Sequence, residues 1–182
     1  MIGGNELVTP GEFSVGAAKR YVSKGVYHSN NYVIDWCKLV PLKCNAFVWR
    51  AEMGKIPMAL ALKNRNIDSD DLTCHMCGSG EYIVNHLFSR CIIASRVWHH
   101  IVLWCKVPPF VTSSTRELLE VHNAVGLSNT AKEVFQGIVS VGCWSIWRLK
   151  NKLKFEDKQV WVEDILSEIK SIGFYGLEVD VN

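Results

Sequence analysis

Cys74, Cys77, His86 and Cys91 lie within one stretch of 18 residues, spaced C-x2-C-x8-H-x4-C. Three thiols and one imidazole are the donors of a closed, four-coordinate zinc site. The two-residue spacer lets a single tight turn aim Cys74 and Cys77 at one ion, and Gly78 after it can take the left-handed backbone such a turn needs. His75 is a rival donor, but it sits inside the spacer, where the chain turns away from the metal. His99 and His100 fall on the helix that follows and suit surface or capping roles. With only 7 cysteines in 182 residues, three gathered around one histidine read as one structural zinc knuckle rather than as scattered core thiols. A metal held by four protein donors has no position for water, so it orders the chain and does not catalyse.

Other chemistry finds little support. Zinc deaminases need H-x-E beside P-C-x-x-C, and neither half is present. A Walker loop, G-x-S-x-G and H-E-x-x-H are absent as well. Asp68, Asp70 and Asp71 cluster ahead of the knuckle, but no glutamate follows as in a calcium loop, so a solvated acidic loop is expected.

Helices have to position the knuckle. Pro41 suits a first helical turn, where its missing N–H costs nothing. Leu42, Ala46, Trp49 and Met53 then recur at helical spacing, with Phe47 and Val48 widening the apolar face and Gly54 ending the helix. Met58 to Asn66 reads as a second, short helix with Met58, Ala61 and Leu62 inside. His86 is expected on a short helix from about Glu81 or Tyr82, with Cys91 near or just beyond its end. An interval of five is not one face of an α-helix, so both side chains reach one metal only if the helix frays or ends between them. Ala94, Val97, Trp98, Ile101, Val102 and Cys105 form the cleanest amphipathic stripe, stopped by Pro108 and Pro109.

Capping boxes at Ser114/Glu117 and Thr130/Glu133 open two more helices. The second runs from Ala131 to about Leu153 and is apolar around most of its circumference, as a central helix would be. Trp161, Ile165, Ile169 and Ile172 stripe a last helix, ended by Gly173. Near the N-terminus, Glu12 to Val15 alternates like a short strand or an extended arm, and Gly16 to Val22 is weakly helical. The expected fold is mainly α, a helical domain with an embedded CCHC zinc knuckle and a short N-terminal strand at most. Its expected divisions are an arm or lead-in over 1–35, a zinc-binding domain over 36–110 and a C-terminal helical region over 111–182.

An apolar share of 48% supplies a real core for a chain of this length. Zinc is therefore expected to order a local loop rather than the whole body. The net charge of +2 conceals an uneven distribution: Trp36 to Ile67 carries Lys38, Lys43, Arg50, Lys55, Lys63 and Arg65 against Glu52 alone, a local +5. Lys43, Arg50, Lys55, Lys63 and Arg65 are the candidate phosphate contacts, although a solvated helix face has the same composition. A second basic run, Arg148, Lys150, Lys152 and Lys154, is open to the same two readings. No stretch approaches the ~18 apolar residues of a membrane span, and the first residues lack a secretory-signal pattern. Cys37, Cys44, Cys105 and Cys143 sit in apolar surroundings, and an odd cysteine total fits a reducing, intracellular setting.

Trp36, the Val-Pro-Leu-Lys segment Val40 to Lys43, the F-x-W-R helix Phe47 to Arg50, Cys74 and Cys77, His86-Leu87-Phe88, Cys91 and Val97-Trp98 form a set. In this set the chain resembles the zinc-binding domain found downstream of the reverse transcriptase in plant LINE-type (non-long-terminal-repeat) retrotransposons. GEFSV at Gly11 to Val15 is similar to that family's lead-in. WSIWRLKNKLKF at Trp144 to Phe155 is similar to a segment that often follows, but Leu149-Lys150-Asn151 departs from its usual Arg-Asn pair, and no function is carried over from it. The resemblance covers residues 11–110 well and 131–156 loosely.

It implies a parent polyprotein, an RNA-directed DNA polymerase that copies RNA into DNA at a nicked chromosomal target. The zinc region is its nucleic-acid-binding accessory, which implies a nuclear location. No Tyr-x-Asp-Asp polymerase motif occurs, so the chain is expected to be a fragment of such an element and not itself an enzyme. RNA or single-stranded or nicked DNA is the expected partner, with docking to a reverse transcriptase domain second; no membrane or small-molecule substrate is expected. Two alternatives stay open: a scaffolding module that uses apolar residues of the first helix, such as Phe47 or Trp49, and a remnant without function.

Overall fold

Helix α5, Asn129–Phe155, places the seven consecutive residues from Gly137 to Cys143 in the interior. A surface helix buries one stripe; an unbroken buried run faces every direction, so this helix is an axis for the others. Around it lie α1 (Leu42–Glu52), α2 (Ala59–Lys63), a π-helical turn (His86–Arg90), α3 (Ile92–Cys105), α4 (Thr115–Ala124) and α6 (Val162–Glu178). The π-turn, α1, α3, α4 and α6 all touch α5. The structure, a computed structural model, describes residues 34–67, 73–155 and 161–178. The expectations for Glu12 to Val15, for Gly16 to Val22 and for Asp68, Asp70 and Asp71 lie outside the described residues. Among the described residues the protein is mainly helical, with one isolated antiparallel bridge between Thr73 and Glu81. No helix among them is long and apolar enough to cross a membrane.

Helix α1 turns a different stripe inward from the one its largest residues suggest. Pro41 stands at the N-cap, just outside the helix, and the buried residues are Cys44, Asn45, Phe47, Val48 and Ala51. Leu42 and Trp49 are exposed. The face that wins is the one carrying Phe47, whose ring meets Trp144 at 5.2 Å and Trp147 at 5.7 Å on α5, and Phe88 of the π-turn at 6.1 Å. Aromatic rings in such edge and tilted contacts bury more area than the competing Leu42 stripe can. Asn45 is buried because its amide oxygen accepts from the Cys37 N–H at 3.1 Å while its NH2 donates to the Cys37 carbonyl at 2.8 Å. That clamp fixes the segment entering α1.

Smaller corrections have local causes. Helix α2 is shorter than Met58 to Asn66; Ala59 within it and Met58 just before it are buried, with Ala61 and Leu62 half-buried. Ser114 does cap α4, accepting from the Glu117 N–H at 3.2 Å. The Glu117 carboxylate, however, reaches the Ser113 N–H at 2.8 Å, so the box closes one residue early. Helix α5 starts at Asn129, which puts Thr130 inside its first turn. Helix α6 runs through Gly173, since an interior glycine costs a helix only about 1 kcal/mol. Trp161 precedes α6 and is exposed, whereas Ile165 and Ile169 are buried. The α3 stripe is as expected: Ala94, Val97, Trp98, Ile101 and Val102 face inward.

Phe47→Ala should therefore destabilise the protein by about 3–5 kcal/mol, whereas Trp49→Ala should change stability by about 0.5 kcal/mol or less. Urea unfolding of the two variants checks this, and equal losses would contradict the assignment of the inner face.

Candidate metal centre

Two short segments supply the four donors. The first is a small hairpin. Cys74 N–H donates to the Gly80 carbonyl at 3.2 Å, Gly78 N–H donates to the Cys74 carbonyl at 2.8 Å, and the Thr73–Glu81 bridge closes the base. Gly78 and Gly80 both hold positive φ, 66° and 77°, which L side chains rarely adopt. At Gly80 there is a second reason for glycine: a Cβ there would lie 2.4 Å from Cε1 and 2.6 Å from Nδ1 of His86. The imidazole rests directly on the hairpin backbone. Gly78 faces open space, so Gly80, which the spacing did not single out, is the more constrained of the two.

The second segment is the π-turn, and it resolves the five-residue interval. In an α-helix, residues five apart point roughly 140° away from each other. Here Cys91 N–H donates to the His86 carbonyl at 2.7 Å, an i to i+5 bond, and the widened turn carries both side chains to one side. The helical segment ends at Arg90, as the interval requires, and Cys91 itself is extended. Cys91 is then the N-cap of the 14-residue α3, where free N–H groups and the helix dipole favour a thiolate.

Sγ of Cys74, Cys77 and Cys91 and a ring nitrogen of His86 all lie within 4.8 Å of one another. Cys74 and Cys91 sulfurs are 4.0 Å apart, and Cys77 Sγ is 3.3 Å from His86 Nε2. A tetrahedral zinc separates two sulfurs by about 3.8 Å and a sulfur from a nitrogen by about 3.5 Å. The cluster thus fits one zinc ion with shifts of about 1 Å at most. Contact with Cys91, aided by backbone N–H groups of Cys77 and Met76, holds the Cys74 thiol well below its usual range. The same contact and burial push the Cys91 thiol up. One sulfur of the pair ionises readily and the second resists, which is the situation a dication between them relieves. Outside the donors, the Ser79 hydroxyl lies 3.4 Å from Cys77 Sγ, a support common around metal thiolates.

His75 lies outside this cluster, its ring edge-on to Tyr82 at 5.3 Å. His99 and His100 are exposed on α3. The knuckle is tied to the helices at several points. Trp98 Nε1 donates to the Phe88 carbonyl at 2.7 Å, and the Trp98 ring lies so close to α5 that a Cβ on Gly142 would meet it at 2.8 Å. Asn85 Oδ1 accepts from Thr115 N–H and Oγ1 at 3.0 and 2.9 Å, anchoring the first turn of α4. Ala59 N–H donates to the Tyr82 carbonyl at 3.2 Å, anchoring α2.

The basic candidates are placed on the surface. Lys43 and Arg50 are exposed on α1, seven residues apart and so on one face, about 10 Å from each other. Lys55 sets its ammonium 5.7 Å from the Trp49 ring centroid, and Arg65 Nη2 approaches the Lys55 carbonyl at 3.5 Å. Lys63 is exposed at the end of α2. Glu52 is engaged by Arg116 at 2.8 Å. The second basic run divides: Arg148 pairs with Glu168, Lys150 is buried, and Lys154 lies over Tyr82.

Cys77→Ser should lower zinc content from one per chain towards none and raise hydrogen exchange over residues 73–91, while α5 stays protected. Gly80→Ala should weaken zinc binding by about tenfold or more by displacing His86. Gly78→Ala, strained but unobstructed, should do less. Elemental analysis and chelator competition measure all three. Zinc retained by Cys77→Ser at full stoichiometry would contradict the four-donor arrangement.

No curated protein and no solved structure matches the chain. Residues 13–98 match the family described as "zinc-binding in reverse transcriptase", a span that includes the hairpin, the π-turn and the first half of α3. With its Cys/His cluster suited to one zinc ion, this part of the chain is a reverse-transcriptase zinc-binding domain.

Proposed function

We propose that Cys74, Cys77, His86 and Cys91 hold one structural zinc, and that the body they stabilise binds nucleic acid. Four protein donors complete a tetrahedral zinc, so its work is to order the knuckle, and the chain binds rather than catalyses. The carrying observation is the surface of α1 and α2. Lys43, Arg50, Lys63 and Arg65 are exposed there, and Glu52, the lone carboxylate between Trp36 and Ile67, is occupied by Arg116. Trp49, 38% exposed, lies beside Lys55 in the same region. Cations contact phosphates without reading sequence, and an exposed indole stacks on an unpaired base. That combination suits RNA or single-stranded or nicked DNA. The plant LINE-type resemblance is consistent with this partner, with a parent reverse transcriptase as the source of the domain, and with work inside the cell, in the nucleus.

The scaffolding alternative loses one of its two named residues, because Phe47 is core; Trp49, with Leu42 on the same helix, stays exposed.

Fluorescence anisotropy with single-stranded RNA and DNA at several salt concentrations tests the proposal. Affinity should fall as salt rises, and Lys43→Glu with Arg50→Glu should weaken binding and flatten the salt slope by about 0.7 per lost contact. Trp49→Ala should weaken single-strand binding several-fold and leave duplex binding nearly unchanged. Absence of binding at low salt overturns the reading.

A further inference from the structure

Lys150 is a buried cation with no carboxylate partner among the described residues. Its side chain belongs to α5 and is 2% exposed. Its ammonium lies 4.3 Å from the Trp147 ring centroid and 4.7 Å from that of Tyr82, with one hydrogen bond, at 3.1 Å, to Asn151 Oδ1. Among the described residues the carboxylate ion pairs are Glu52 with Arg116 and Glu168 with Arg148, and neither includes it. An ammonium withdrawn from water at this depth needs negative charge nearby. Two aromatic faces and one amide oxygen supply part of it. One of those faces, Tyr82, belongs to the knuckle itself, between Cys77 and His86, which sets the ammonium against the metal-binding loop. Burial and the neighbouring Lys154 pull the Lys150 ammonium down to about 8, and Cys74 acts against them.

Zinc with three thiolates and a neutral imidazole carries one net negative charge, since three thiolates outweigh the dication. Cys74 and Cys91 are both buried, so that charge is poorly screened. Tyr82 touches both sides, its ring under Lys150 and edge-on to His75, the residue after Cys74.

We propose that Lys150 is the counter-ion of the zinc–thiolate centre, a positioning residue delivered by α5 from beyond the matched residues 13–98. The proposal rests on the four-donor zinc assignment. It gives the segment Trp144 to Phe155 a role in metal retention: α5 neutralises the centre as well as packing against it. Lys150, read from sequence as one of four candidate phosphate contacts, is buried over Tyr82 of the knuckle instead.

Chelator competition on the full chain separates the two readings. If the unaltered chain binds no zinc, the four-donor assignment fails and the counter-ion with it. If it binds zinc, Lys150→Met should lower zinc affinity about tenfold or more, the usual scale for an outer partner of a metal site. Lys150→Arg should restore it to within about threefold, a rescue that simple packing would not produce, since Met matches the lysine stem better than Arg does. Zinc affinity of Lys150→Met within about twofold of the unaltered chain overturns the counter-ion. The unaltered chain offers a second readout that needs no variant. By lysine-selective heteronuclear NMR, the Lys150 ammonium should hold its proton to higher pH with zinc bound than after chelation, and an unchanged titration also overturns the proposal.

Discussion

Two sulfurs buried 4.0 Å apart, with a third sulfur and an imidazole beside them, are the constraint to which the rest of this structure answers. Neutral, the group is a weak hydrogen-bonding cluster; ionised, it repels itself in surroundings that screen charge poorly. Holding it together needs a cation at its centre and a backbone that brings two separate segments to the same point. The hairpin does this from one side through two positive-φ glycines, one of which also makes room for the imidazole. The π-turn does it from the other side by placing residue i+5 over residue i. Neither solution is the most stable local choice for its segment, since left-handed backbone and widened helical turns are both disfavoured in isolation. Packing must hold them, and it does so through Trp98, Asn85 and Phe88, each of which ties the knuckle to a different helix.

What was legible in the sequence followed from spacing and periodicity. The four donors come together because C-x2-C-x8-H-x4-C fits one tight turn and one short helical segment, and donor type is a local property of the residues. The inner face of α3 and the central place of α5 were also readable, because their apolar patterns are long and unambiguous. Helix α1 was misread because it carries two apolar stripes, and the choice between them depends on Trp144 and Trp147, about 100 residues away in sequence. The π-turn was hidden for a different reason: the α-helical repeat assumed in reading the interval has no place for an i to i+5 bond. Gly80 could have been found from the GSG sequence, had both glycines been weighed against the imidazole that must approach one of them.

The basic residues show how little charge composition says without burial. Two runs of Lys and Arg look equivalent in sequence, yet the structure uses them in opposite ways. Around α1 and α2, Lys43, Arg50, Lys63 and Arg65 are exposed, Glu52 is engaged by Arg116, and an indole is exposed among them. On α5 the run is less free: Lys150 is buried over the Tyr82 ring, while the half-exposed Arg148 pairs with Glu168 and the half-exposed Lys154 also lies over Tyr82. Exposed cations can act on charges outside the protein, and their contribution is screened by salt. Inward cations act on whatever negative charge the core contains, and screening reaches them far less.

This division bears on how zinc and the proposed nucleic-acid binding would be connected. Among the described residues no hydrogen bond or ion pair joins Lys43, Arg50, Lys63 or Arg65 to the metal donors, so zinc would not act on phosphates directly. Its influence has to pass through backbone position. One route is short: Tyr82, between the hairpin and the π-turn, accepts the Ala59 N–H and so sets where α2 begins, and Lys63 and Arg65 follow within a few residues. The route to α1 is a ring contact, Phe88 against Phe47, backed by the independent packing of Phe47 on α5. A hydrogen bond to a loop that needs metal is lost when the loop loosens. A ring held on two sides is not. The metal therefore governs the α2 end of the surface more tightly than the α1 end, and Lys43 and Arg50 keep their spacing as long as α5 stands.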